Sequence, residues 1–456
     1  MTANSPFSRR SVAACSIAIA TICALSACSP QEAKAPVAAD SASESAAANN
    51  KANNASNNAS NNDSNNASNN ASNNDSTKGA STTSASLTAS TARRVEVARF
   101  GYDVASMIPT EGNVRDQAKA QEWCVAAMIA LGDRAGAEEM ANSMRTWRRA
   151  VCYADIGLSY ARAGEAAKAS EFAERALKSL PEWLDWQQER IRVQVAQVYV
   201  VLGESGRAEE LAKGVGESEI GKVEAVEATK ADEAEFDARL AEIEAWLATG
   251  NFDLARNALD VSEALYGRFV KDAARRAKIE DVVRRLNSKV PFDIRVSSLL
   301  ELARTASKSG DAAHARELVA EAKAEFAKAK WLPEDFVTQM ALLGAGESEA
   351  GEPDAARKTL DEAVAYFQTN RESIVDIFRG PPLRLVAKGY ATLGDQAKAR
   401  EIFALAINEG AINGNARPRA EDLAAACADL ATTGIEPGEE LWARMAEIRA
   451  GLRAPW

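Results

Sequence analysis

Small apolar residues recur through a polar chain at a fixed distance from glycine. A Gly is followed by Asp, Glu or Asn, and an Ala stands five residues after the Gly. The copies begin at Gly132, Gly164, Gly203, Gly250, Gly310, Gly351 and Gly394, and their alanines are Ala137, Ala169, Ala208, Ala255, Ala315, Ala356 and Ala399. The spacings are 32, 39, 47, 60, 41 and 43 residues, the range of a helical repeat array. Each copy predicts a helix, a tight turn and a second helix. The Gly closes the first helix in the left-handed conformation it alone adopts cheaply. The acidic or Asn residue opens the second helix, where its oxygen meets free N–H groups. The Ala, one turn in, lets two antiparallel helices cross closely. A leading helix is expected over 95–107, before Pro109. The surplus between Gly203 and Gly250 reads as a polar loop at 213–226, and that between Gly250 and Gly310 as an extra helix at 271–288. Pro381-Pro382 opens the seventh pair, and 423–452 a degenerate eighth.

Further positions resemble tetratricopeptide repeats. A small residue stands seven before the turn glycine at Gly157, Ala196, Ala303, Gly344 and Ala387. An aromatic stands four before it at Tyr160, Tyr199, Trp246 and Tyr390, and an Ala twelve after it at Ala176, Ala322, Ala363 and Ala406. Pro181 matches the closing proline of the second copy. Val125 and Ile243 depart from the pattern, and the spacings exceed the family's period. The resemblance covers about 112–453. It implies an all-α, right-handed superhelix of about seven to eight helical hairpins over 93–456, preceded by a disordered tether. It also implies a concave groove lined by first helices, which places Arg162, Gln197, Arg304, Lys308, Arg384 and Lys388 on the binding surface.

The front of the chain reads differently. Arg9 and Arg10 precede a short apolar stretch, 12–25, of signal-peptide length. It ends in Leu25-Ser26-Ala27-Cys28, which resembles a bacterial lipobox. The resemblance implies cleavage after residue 27, a lipid on Cys28, and membrane attachment through that lipid alone. Ser29 is similar to the outer-membrane sorting pattern, so the expected place is the cell envelope, at the outer membrane and facing the periplasm. Residues 28–92 are Asn-, Ser- and Ala-rich and cannot bury a core; they read as a linker.

Composition removes several functions. Without residues 1–27 the chain keeps 52 basic and 65 acidic residues, a net charge of −13. That argues against nucleic-acid binding. With His314 the only histidine and no CxxC, no zinc site and no Ser/Cys–His chemistry is expected. Gly216 to Lys222 has the spacing of a phosphate loop, but Val223 replaces the Ser/Thr, and it reads as chance. No cofactor motif is present. Cys124, Cys152 and Cys427 read as small buried hydrophobes, with a Cys124–Cys152 disulfide as the alternative. One stretch opposes the acidic background: between Arg268 and Lys289 stand eight basic and three acidic residues. Lys271, Arg275, Lys278, Arg285 and Lys289 share one helical face. The stripe and the groove together suggest an acidic protein or peptide partner. The expected function is a non-catalytic binding scaffold. Two alternatives are an accessory lipoprotein of an envelope-assembly or export complex, and an all-helical enzyme that works through carboxylates.

Overall fold

The computed structural model describes residues 89–456. The signal segment, Cys28 and nearly all of the linker lie outside the described residues. Among the described residues there are nineteen α-helices and no strand. The first seven are α1 (Ala89–Ser106), α2 (Thr110–Ala130), α3 (Arg134–Ser143), α4 (Arg148–Arg162), α5 (Ala166–Lys178), α6 (Asp185–Leu202) and α7 (Ser205–Ala212). Then come α8 (Glu217–Ala228), α9 (Glu233–Thr249), α10 (Phe252–Phe269), α11 (Ala273–Asn287), α12 (Phe292–Lys308) and α13 (Ala312–Phe326). The last are α14 (Pro333–Glu349), α15 (Pro353–Asn370), α16 (Gly380–Thr392), α17 (Gln396–Gly410), α18 (Ala416–Thr433) and α19 (Gly438–Ala450). No described helix is long and apolar enough to cross a membrane.

The repeated turns form for the reasons the sequence suggests. All seven turn glycines, and Gly434 in the eighth pair, hold φ between 69° and 94°, where a Cβ would be strained. The seven alanines are at most 2% exposed. A Cβ on Gly157 would lie 3.2 Å from the Ala169 carbonyl oxygen and 3.3 Å from Phe172 Cβ, so α4 and α5 touch through their smallest residues. Side-chain length decides which turns are capped. Asp133 accepts from the Gly136 N–H at 2.9 Å, Asp311 from His314 at 3.1 Å, and Asp395 from Lys398 at 3.0 Å. Asn251 caps in the same way. Glu165, Glu204 and Glu352 make no side-chain cap, because the extra methylene carries the carboxylate past the free N–H groups.

The even-numbered helices form one layer. From α2 to α18 each packs on the next even helix, and α18 packs on α1 and α2. The array therefore closes into a ring. Its seam is well built: Cys124 Sγ lies 3.9 Å from the Ala424 carbonyl, and Arg94 Nε donates to the Ala431 carbonyl at 2.7 Å. One hydrophobic cluster spans the seam, from Val95 to Phe172 and from Val337 to Leu452. Outside it, Phe100 of α1 and Trp442 of α19 meet with ring centroids 5.1 Å apart.

Two expectations change. Residues 213–226 are not a polar loop, because α8 begins at Glu217. A Cβ on Gly221 would fall 2.3 Å from Asn257 Cγ, so this glycine lets α8 press directly onto α10. The helix enters the even layer between α6 and α10. It also reverses the fourth copy: at Gly250 an outer helix, α9, turns into an inner one, α10. That explains why Ile243 stands where the pattern wants a small residue. The expected extra helix at 271–288 is α11, and it restores the alternation.

Candidate functional site

The even helices carry a belt of charged side chains, many with partners on the next even helix. Arg148 of α4 pairs with Glu122 of α2. Gln194 of α6 donates to Asp155 of α4 at 3.3 Å. Arg304 of α12 bonds both oxygens of Glu349 on α14, at 3.0 and 2.9 Å. Arg384 and Lys388 of α16 share Asp429 of α18, at 2.5 and 3.1 Å. Arg417 of α18 reaches Asp116 of α2 at 2.7 Å.

The groove positions all fall on even helices, but in different states. Gln197 is buried. Arg304, Arg384 and Lys388 are neutralised by the carboxylates just named. Lys308 is exposed, and Arg162 is exposed at the end of α4 near Asp155. The expected basic groove is thus a mixed belt: Arg304, Arg384 and Lys388 meet an acid on the next even helix, while Lys308 stays exposed.

Between α4 and α12 the belt changes character. Asp260 and Glu263 of α10 lie three residues apart on one face, half-buried. Among the described residues neither makes a hydrogen bond or a close ion pair. Burial pushes the Asp260 carboxyl up to about 6 against the pull of Arg256 and Lys222. Burial, then the neighbouring Glu301 and Asp260, pushes Glu263 well above the usual range, with Arg304 opposing. Burial and then Glu122 raise Asp155 to about 7, with Arg162, Arg190 and Lys222 opposing. Lys222 of α8 bears on both Asp155 and Asp260. Across the seam, burial also raises Glu421 to about 7 and Asp422 to about 6. With values raised to about 7, Asp155 and Glu421 exist in both forms near neutrality. They can donate a hydrogen bond when protonated and accept one when ionised.

Asp155, Lys222, Asp260 and Glu263 were not singled out by sequence. α10 follows a turn glycine, so it reads as an outer helix. Its inward position appears only once α8 is recognised as a helix. Gly216 is the N-terminal cap of α8 with φ −67°, and the phosphate-loop spacing lies within a helix.

Three residues of the basic stripe lie on α11 and meet acids on α9, and Lys271 and Lys289 flank the helix. Arg275 pairs with Glu233 at 3.1 Å, Lys278 with Asp237 at 3.2 Å, and Arg285 with Glu244. Lys271 and Lys289 are exposed. The stripe thus zips two outer helices together. His314 is not on a solvated face. Its Nε2 lies 2.6 Å from buried Glu280 of α11, and its Nδ1 3.0 Å from Glu317. Cys124, Cys152 and Cys427 are free and buried, and burial raises all three thiols above their usual range.

No protein-family model and no curated protein matches this chain.

Proposed function

We propose that this chain is a non-catalytic binding scaffold, a tetratricopeptide-like solenoid closed on itself, tethered in the bacterial cell envelope through Cys28. Its recognition surface is the charged belt of the even helices, and its ligand is an extended segment of another protein. The observation that carries this reading is the contrast along the belt. Around most of the ring the inner charges are matched by a neighbour, but Asp260 and Glu263 are left without a hydrogen bond among the described residues. Half-buried polar groups left in this way gain most from an incoming donor. Peptide N–H groups and Lys or Arg side chains supply such donors.

The test is cross-linking capture from membranes with the full chain and with the Asp260→Asn, Glu263→Gln double variant. The variant should recover the captured protein at least tenfold less well, with unchanged helix content. Equal recovery by the variant refutes the belt as the binding surface.

One observation favours a second reading, an enzyme that works through carboxylates. Burial raises the Asp155 and Asp260 carboxyls to about 7 and about 6, and Lys222 of α8, between their helices, bears on both, as in sites built for acid–base work. Against it, Tyr199, Tyr266 and Tyr390 are fully buried, and the exposed aromatics Trp186 and Phe252 stand at the starts of α6 and α10, away from the middle of the layer. Release of reducing ends from purified cell-wall glycan by the wild type, lost in Asp155→Asn, would decide for the enzyme.

A further inference from the structure

The two rims of the ring differ. Successive helices alternate in direction, so every even helix starts at the same rim. Trp147 and Trp186, at the starts of α4 and α6, meet there with centroids 5.3 Å apart. Arg417 and Asp116, near the starts of α18 and α2, also meet there. All seven large hydrophobic side chains that are exposed among the described residues lie on this rim. Val114 and Trp186 are in first turns. Leu184, Phe252, Leu332, Val375 and Ile412 stand in, or directly after, connections from an odd to an even helix. The opposite rim, built from the turns after Gly132, Gly164, Gly310, Gly351 and Gly394, carries none among the described residues.

We infer that the apolar rim is a docking surface for a second copy of this chain, rim against rim. The first reason is distribution. The exposed apolar residues belong to α2, α6, α10, α14, α16 and α18, all around the ring. A single peptide would meet two or three of them, whereas a flat body as broad as the ring meets all. The second reason is area. Exposures run from 39% at Val114 to 64% at Leu184. At about 100 Å² each, the seven present about 700 Å² per ring, and two rims together would cover about 1,400 Å², within the range of stable interfaces.

The third reason is charge. Exposed acids Glu182, Asp185 and Asp253 stand on this rim at the starts of α6 and α10, and exposed bases Lys289 and Lys330 just before α12 and α14. A two-fold axis in the plane of the rim, passing between α10 and α12, lays the acidic arc of each copy against the basic arc of the other, which makes the patch self-complementary. A bilayer is the other broad flat body. Its anionic headgroups would repel the acidic arc, and it offers no basic arc to match it.

The experiment uses two differently tagged full-length copies expressed together, with a benzophenone amino acid at one position. Leu332 and Ile412 report the apolar rim. Ala166 and Ala312, exposed on the opposite rim, are the controls. Irradiation should give a product of twice the chain mass carrying both tags from Leu332 and Ile412, and none from Ala166 or Ala312. Leu184→Asp with Val375→Asp should reduce that product at least tenfold while circular dichroism is unchanged. Absence of a two-tag product from the rim positions, or equal product from both rims, overturns the inference. Cross-links from the rim to phospholipid, or only to a different protein, overturn it in favour of those occupants.

Discussion

Arg417 and Asp116 stand 301 residues apart in sequence and 2.7 Å apart in space. Their contact joins the last even helix to the first. It lies beside a seam of small buried residues, and the two parts contribute unequally. A Cβ on Gly101 would fall 2.6 Å from Cys427 Cβ and 3.2 Å from Cys124 Sγ. Gly101→Val should therefore lower stability by about 1–3 kcal/mol through overpacking. Arg417→Ala, at a half-exposed pair, should cost at most about 1 kcal/mol. Urea unfolding of both variants checks the order, and a larger loss from Arg417→Ala would mean that charge rather than packing closes the ring.

The turn alanines should behave alike around the array. Ala315 and Ala399 are fully buried at helix crossings, so Ala315→Leu and Ala399→Leu should each cost about 1–3 kcal/mol. Denaturant midpoints equal to the wild type's would place the crossings elsewhere.

Caps should separate by side-chain length. Asp133 accepts a backbone hydrogen bond and Glu352 does not. Asp133→Ala should cost about 1 kcal/mol, while Glu352→Ala should stay within about 0.5 kcal/mol of the wild type. Thermal unfolding of the two variants side by side checks this.

The contribution of two buried carboxyls to stability should fall as pH rises. Asp155 and Asp260 have folded pKa values near 7 and 6, above the ordinary range for Asp. The folded state thus holds protons that the unfolded chain releases. The stabilising effect of those protons is complete below about pH 4 and is lost as pH climbs to about 7. Asp155→Asn should raise the urea midpoint at about pH 8 and leave it unchanged below about pH 4. A variant with the same offset at both pH values would show that Asp155 titrates as an ordinary carboxylate.

Local signals carried most of the helix boundaries. Gly132, Asp133 and Ala137 state a turn, a cap and a crossing within six residues, and each is a local requirement. Pro381 and Pro382 lie in the first turn of α16, the helix they were expected to open, because proline suits a first helical turn. Non-local features were hidden. Nothing in residues 416–433 shows that this helix packs against α1, since closure depends on small rotations accumulated over the whole array. The site was partly legible. Arg304, Arg384 and Lys388 were found from register, but their acidic partners Glu349 and Asp429 lie 41 to 45 residues away. Asp260 and Glu263 were missed because facing depends on how many helices precede them, and α8 had been counted as loop.

That dependence gives the two additional helices a joint meaning. In a chain whose neighbours alternate up and down, facing is a matter of odd and even. Excising Glu217–Ala228 alone would turn every later hairpin inside out, sending Arg304, Arg384 and Lys388 to the periphery and the repeat's small residues into water. Removing Glu217–Ala228 together with Ala273–Asn287 would leave the later hairpins facing as they do now, in a ring smaller by one unit. Length changes in this protein are therefore tolerable in pairs of helices and ruinous singly.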